Sequence, residues 1–429
     1  MASSRSQDFG ERMRGSIGDW YQRNRVLTWI CAIIAVNQLG FGSIVPVVPL
    51  YAQSFGVSQS LIGLTIAVYG FARFAASVPT GWMADVFGRK WSLAAGGFVT
   101  VIGNLVCGLA PTYEVFLIGR FIAGCGAAMV LVSGQIILAD ITTPERRGRT
   151  MAIYQGVFLF AVGFGPLPGG ILAEWGGLAF PFYVYSVLGG VAAVIALLRL
   201  EETRHIRVPD ESDEPQPGFL GQIKLIAYDR AFLLVCLVSF AQFFARTGAI
   251  FNLVPIRAEN VMNLGPSQIG FGLAFVSIVS LILAYPSGYF VDRFGRKTII
   301  VPSTLISAGG LALFAVSGGF GWFLFACFIW AVGGGLAGAA PAAYAADVAP
   351  KGMQGAAMGT YRMMADSGYV FGPALLGFAA DGFGAGASLI ATAAFVAMCG
   401  VAFAAFAPET YRQGVNQREP EPAPEPTSK

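Results

Sequence analysis

The chain has 429 residues, of which 12% are charged and 55% hydrophobic, with a formal net charge of +3. Soluble proteins carry roughly 25% charged residues, so a soluble multidomain enzyme is excluded for want of polar surface. The small positive balance carries no nucleic-acid signal; it reflects basic residues placed beside membrane spans.

Residues 1–25 contain five Arg and no apolar core, so they are expected to form a cytoplasmic N-terminal tail rather than a cleavable signal peptide. Runs long enough to cross a bilayer, ~18–20 residues, follow near 26–50, 61–83, 92–110, 115–138, 150–173 and 180–199. A connector at 200–230, with Glu201, Glu202, Asp210 and three prolines, reads as a solvated linker. Six more runs fall near 231–255, 267–289, 298–317, 321–343, 355–378 and 386–407. Residues 408–429, rich in Pro and Glu, read as a disordered cytoplasmic tail. The runs are continuous and lack the alternation of barrel strands, so helices are required. The expected fold is an all-α integral membrane protein of twelve spans, in two six-helix bundles over 26–199 and 231–407.

Of the 27 Lys and Arg residues, all but Arg73, Arg120, Arg246, Arg257 and Arg362 fall on one side of a twelve-span arrangement. By the positive-inside rule that side is the cytoplasm, and both termini share it. The six cysteines lie inside spans without CxxC spacing, and the only histidine, His205, sits in the connector. No metal site, disulfide frame or cofactor is expected. Gly333-Gly334-Gly335 is not followed by the Gly-Lys-Ser/Thr of a nucleotide loop and reads as close helix packing. Any pumping has to draw on an ion or solute gradient.

One offset, 207 positions, superimposes the two halves. It carries Gly81-Trp82-Met83-Ala84-Asp85-Val86-Phe87-Gly88-Arg89-Lys90 onto Gly288-Tyr289-Phe290-Val291-Asp292-Arg293-Phe294-Gly295-Arg296-Lys297. It also aligns Asp140 with Asp347, Tyr154 with Tyr361, and Gly165-Pro166 with Gly372-Pro373. Internal duplication in a membrane protein points to a transporter with its solute site between two moving halves. Gly88 permits positive φ in the tight loop, and Arg89-Lys90 anchor it on the basic side. Asp85 ends its helix, where the dipole disfavours an anion, so it needs a cation; Asp140 is an expected partner for Arg89. Such a network can hold two halves closed on one side. The expected gating set is therefore Gly81, Asp85, Gly88, Arg89, Lys90 and Asp140 with Gly288, Asp292, Gly295, Arg296, Lys297 and Asp347. Plain topogenic charge is the alternative.

The doubled Gly-x-x-x-Asp-x-x-Gly-Arg-Lys loop resembles motif A of the major facilitator superfamily, with Met83 where Leu is more usual, and the likeness covers residues 26–410. Gly119-Arg120-Phe121-Ile122-Ala123-Gly124-Cys125-Gly126-Ala127-Ala128 is similar to motif B, which implies a part in proton coupling for Arg120. Ala161-Val162-Gly163-Phe164-Gly165-Pro166-Leu167-Pro168-Gly169-Gly170 resembles motif C, the antiporter signature, except that Ala161 replaces its first Gly. Pro166 and Pro168 remove backbone donors and bend the helix, and the glycines admit a close neighbour. The resemblance implies that the bend at Gly165, Pro166, Gly169 and Gly170 seals the outer end and favours exchange. It points to the drug/proton antiporter branch.

Ionisable residues inside the membrane cost ~2.5–3.5 kcal/mol each on insertion scales, so each needs a partner or a wet cavity. Asp366 is the one acid near the middle of a span, and Arg362 lies one turn away on the same face. Arg73 and Arg246 are also deep. With Arg120 and the polar Asn37, Gln38, Gln155 and Gln242, these residues form the expected cavity set, with Tyr69, Tyr154, Phe158, Tyr361 and Tyr369 as possible aromatic lining. Asp366 is either a charge lock for its arginines or a carboxyl that trades its proton against solute. Arg73, Arg246 and Arg362 either lock helices or bind an anionic group. The expected function is proton-coupled export of a small organic solute by alternating access, with a metabolite or organic-anion carrier of the same fold as rival. The expected partners are the solute, protons and the bilayer of a bacterial inner membrane, with the protein as a monomer.

Overall fold

The structure, a computed structural model, describes residues 25–142, 144–204, 229–338, 340–349 and 354–410. Among the described residues, eleven helices are long and apolar enough to cross a membrane. The longest, Ala357–Phe406, breaks at Gly384, whose φ of 80° and ψ of 156° lie outside the helical region. Asp381 before the break meets Gln59, whereas Phe403 beyond it packs edge-on against Tyr344 near the opposite end. The segment therefore crosses twice, and the spans number twelve among the described residues.

In chain order the spans are Arg25–Ile44 continued by Val47–Ser54, Gln59–Phe87, Arg89–Gly108, Tyr113–Asp140, Pro144–Phe164 continued by Pro166–Gly176, and Phe180–Arg199. The second half has Arg230–Phe244 running through a π-helical turn, Ala245–Leu253, into Val254–Asn260. Pro266–Phe294, Arg296–Val316, Phe320–Ala337 with Ala340–Val348, and the kinked Gln354–Phe406 follow. Local chemistry sets the starts: Asp229 accepts from the backbone N–H of Ala231 at 2.7 Å and caps span 7. Gly88 and Gly295 each end one helix and begin the next at φ of 105° and 95°, a left-handed conformation that favours glycine.

Large apolar side chains such as Phe74, Leu198 and Phe378 face outward, as lipid contact requires. A continuous buried cluster joins both halves, including Ile44, Tyr69 and Phe116 with Ile250, Ile269 and Tyr369. A second cluster, with Leu27, Ile34, Leu93 and Leu138, belongs to the first half alone.

The halves meet along spans 2 and 11 and along spans 5 and 8. A Cβ at Gly63 would collide with the Pro373 carbonyl, and one at Gly270 with the Pro166 carbonyl, so the backbones touch there. Nearer the 81–90 and 288–297 loops the halves part. A Cβ at Gly81, Gly156, Gly288 or Gly359 would meet nothing within 4 Å. The cleft is closed at one end and opens toward the loops.

Candidate functional site

At the loop end, Arg89 is buried and triply engaged. Its Nη2 lies 2.9 Å from Asp85 Oδ1, its Nε lies 3.1 Å from Asp140 Oδ2, and its Nη1 donates to the Ala84 carbonyl at 2.9 Å. The cation thus compensates an acid at an unfavourable helix end and ties spans 2, 3 and 4 together. In the second half, Arg296 Nε lies 3.0 Å from Asp347 Oδ2. The Asp292 side chain lies outside the described residues. Lys90 and Lys297 enter chiefly through their positions at helix starts, with Lys297 Nζ also donating to the Ala407 carbonyl at 2.7 Å.

Two acids that the sequence reading left in the linker and tail complete these sites. Glu202 accepts from the backbone N–H groups of Arg89 at 2.8 Å and Lys90 at 3.3 Å, and Glu409 does so from Arg296 at 3.0 Å and Lys297 at 3.1 Å. A carboxylate there satisfies orphan donors and faces the positive end of the helix dipole. The next residues, Thr203 and Thr410, donate to Asp140 at 3.1 Å and Asp347 at 3.0 Å. The signal was present: Glu202-Thr203 and Glu409-Thr410 obey the 207 offset.

At the closed end, Gln53 Nε2 donates to Asn260 Oδ1 at 3.1 Å. Asp381 accepts from the backbone N–H groups of Gln59 at 2.7 Å and Ser60 at 2.9 Å, and from the Ser60 hydroxyl. The Ser267 hydroxyl likewise donates to Glu174. Residues 60 and 174 map onto 267 and 381 by the same offset, so these are two copies of one latch. The Gly165–Gly170 segment of span 5 packs here: Gly165 lies against Gly42, Gly169 against Ser43, and Gly170 against Pro266, while the Pro166 carbonyl lies under Gly270.

Between these ends sits a belt of cations and rings. Arg120, 2% exposed, places its Cζ 4.3 Å from the centre of the Tyr69 ring, and Tyr69 stacks on Phe41 at 5.3 Å. Arg73 lies 4.8 Å from the centre of the Tyr369 ring. Arg246, on the π-helical turn, lies 5.6 Å from the Phe251 ring. Tyr369 stands within electrostatic reach of Arg73, Arg120, Arg246 and Asp366. Arg362 Nε is 3.5 Å from Asp366 Oδ2, with side chains 62% and 32% exposed. Arg362, Asp366 and Tyr369 follow at helical spacing on one face of span 11.

Cation–π contacts contribute ~0.5–2 kcal/mol each, less than the ~2.5–3.5 kcal/mol that a deep arginine costs. Arg120 Nε also donates to the Thr65 carbonyl at 3.4 Å, whereas Arg73 and Arg246 show no such bond among the described residues. Arg120 Nη1, both amide atoms of Asn37 and of Asn252, Gln242 Nε2 and Asp366 Oδ1 have no hydrogen-bond partner among the described residues. Gln38 is buried on span 1, and Gln155 is exposed on span 5. Tyr154 is buried away from solvent, and the Tyr361 hydroxyl accepts from Ser239 at 2.9 Å. Phe41, Asn252 and the π-helical turn were missed from sequence; π turns frequently mark functional sites, but no composition signal announces them. Among the described residues no group of three or more His, Cys, Asp or Glu could hold a metal ion.

Two pseudo-symmetric six-helix halves around a charged cleft, closed at one end and open at the other, define a secondary active transporter. The chain belongs to the Major Facilitator Superfamily, whose model matches residues 30–265 and 235–429. It is 29% identical to an uncharacterised MFS-type transporter of Methanocaldococcus jannaschii over 84% of this chain and 92% of that one. It is 27% identical to Multidrug resistance protein 2 of Bacillus subtilis over 81% and 87%. Quinolone resistance protein NorA of Staphylococcus aureus is 23% identical over 79% and 86%. Among solved structures, an inward-facing bacterial homologue of the human lysosomal transporter Spinster superposes with a TM-score of 0.73 at 16% identity, over 89% of this chain and 96% of that one. The protein is an integral membrane transporter and not an enzyme.

Proposed function

We propose that this transporter exports small organic solutes from the cytoplasm in exchange for protons, with Asp366 as the proton site. The observation that carries this reading is the placement of Asp366: the one deep acid among the described residues, half-paired with Arg362 at 3.5 Å, in a cleft open toward the basic loops. The names of the bacterial relatives, multidrug and quinolone resistance proteins, support drug-type efflux. The positive-inside rule supports placing the open end and both termini in the cytoplasm of a bacterial cell.

Solute entering from the loop side meets Asp366 ionised and leaning on Arg362. Rocking then separates Gln53 from Asn260 and the two Ser–acid latches, and brings the loop ends together around the Arg89 and Arg296 networks. From the outer side Asp366 takes a proton as the solute leaves, and the protonated carboxyl releases Arg362 and permits the return. The Gly165-Pro166 segment acts as the outer seal, because its backbone contacts both span 1 and span 8. One chain holds both halves of the cleft, so the working unit is a monomer.

The test uses inverted vesicles acidified inside, with a pH-sensitive dye and a panel of cationic, neutral and anionic solutes. Solutes that discharge the gradient through the native protein and not through Asp366→Asn support the proposal. Equal discharge by the variant removes Asp366 from coupling.

A further inference from the structure

We infer that the preferred solute is an organic anion with an apolar body, held through its negative group by Arg73 and Arg246 beside Tyr369. The inference rests on the export reading above and names the substrate class of the same cleft.

The charge count decides it. Arg73, Arg120, Arg246 and Arg362 converge on the cleft, and Asp366 is the acid among them. Arg362 already leans on Asp366. Among the described residues, Arg73 and Arg246 have only the rings of Tyr369 and Phe251 against their guanidinium groups, and no carboxylate in ion-pair range. Arg73 faces the Tyr369 ring from span 2 and Arg246 lies on the π-helical turn of span 7, so an anion held by both touches both moving bodies. Arg guanidinium groups match a carboxylate in a two-pronged geometry. Gln242 Nε2, buried without a partner, supplies a further donor from span 7. Tyr69, Tyr369 and Phe41 offer apolar faces to the rest of the solute. A lipophilic cation entering the same cleft meets net positive charge in either protonation state of Asp366.

Charge balance adds a consequence. Exporting a monoanion for one proton moves two positive charges inward per cycle, so transport is electrogenic and driven by an inside-negative potential. Exchange of a monocation for one proton moves none.

The experiment reconstitutes the full chain in liposomes with three probes that share one ring system: naphthylacetate, naphthylacetamide and naphthylethylamine. Naphthylacetate is expected to bind at least about tenfold more tightly than the amide, with the amine weakest. Arg73→Gln and Arg246→Gln are each expected to bring the acetate-to-amide ratio close to one, and Arg246→Lys, which keeps the charge but not the two-pronged geometry, to retain only part of it. With the potential clamped by potassium and valinomycin, naphthylacetate flux is expected to rise with inside-negative potential. An amine that binds most tightly, or a ratio unchanged by Arg246→Gln, overturns the inference. If the amide or amine discharges a pH gradient while the acetate neither binds nor moves, proton-coupled export stands and the anion inference falls. If the acetate binds through both arginines but no probe discharges the gradient, the anion inference stands and proton coupling falls.

Discussion

Gln53 and Asn260 stand 207 positions apart and hydrogen-bond each other, amide to amide, at 3.1 Å. The same offset relates the two halves of the sequence. Residues equivalent by a twofold can touch each other only near its axis, so this pair marks the pseudo-symmetry axis at the closed end. Around it the Ser60–Asp381 and Ser267–Glu174 latches repeat one contact twice.

Removing both latch acids is expected to loosen that end. A hydrogen bond to a charged group contributes about 1.5–3 kcal/mol when well formed, and exposure at this site lowers that to about 1. Asp381→Asn with Glu174→Gln is therefore expected to raise the outward-open population about tenfold or more. Spin-label distances across the outer ends of spans 2 and 11 report it. An unchanged distance distribution removes the latches from gating.

Gly63→Ala and Gly270→Ala drive a methyl into the Pro373 and Pro166 carbonyls respectively. Each is expected to hinder closure of the outer end and to lower transport at least about tenfold, since displaced packing commonly costs about 1–3 kcal/mol. Gly156→Ala, where a Cβ meets nothing within 4 Å, is the matched control and is expected to transport normally. Rates in vesicles at equal protein level separate the two cases.

Glu202→Gln and Glu409→Gln test the helix caps that lie in the former linker and tail. Lost capping is expected to destabilise by about 0.5–2 kcal/mol each. Thermal unfolding in detergent is expected to show a lowered midpoint of similar size for both, because the contacts are pseudo-symmetric. A shift for one and none for the other breaks the equivalence drawn here.

Tyr369→Leu removes the ring that Arg73 faces at 4.8 Å and is expected to destabilise by about 1–2 kcal/mol. Tyr369→Phe keeps the ring and is expected to retain native stability. The comparison by thermal unfolding tells ring stacking from hydroxyl chemistry.

Much of this arrangement was legible before any coordinates. Long apolar runs indicated the spans because a bilayer leaves helices little alternative. The doubled loop exposed the duplication, and the Arg89–Asp140 pair followed from helix ends and charge. Glu202 and Glu409 were overlooked because polar neighbours made their segments resemble linker and tail, although the offset linked them. Glu174 and Asp381 were missed for a different reason. Acids at a solvent-facing helix end need no explanation in sequence, and only the folded contact shows each reaching across to the other half. The π-helical turn at Ala245–Leu253 packs on span 11 through Gly248 against Gly372, a contact that one-dimensional patterning does not carry.

The most direct test of proton coupling at Asp366 compares two modes of transport by the same Asp366→Asn protein. With the solute that the vesicle panel selects, proton-driven accumulation is measured beside solute-for-solute exchange at equal pH on both sides. The account predicts that the variant loses accumulation by at least about tenfold while exchange continues, because the cleft still binds and rocks without a titrating carboxyl. Accumulation at the native level in Asp366→Asn contradicts it and assigns the proton to another group.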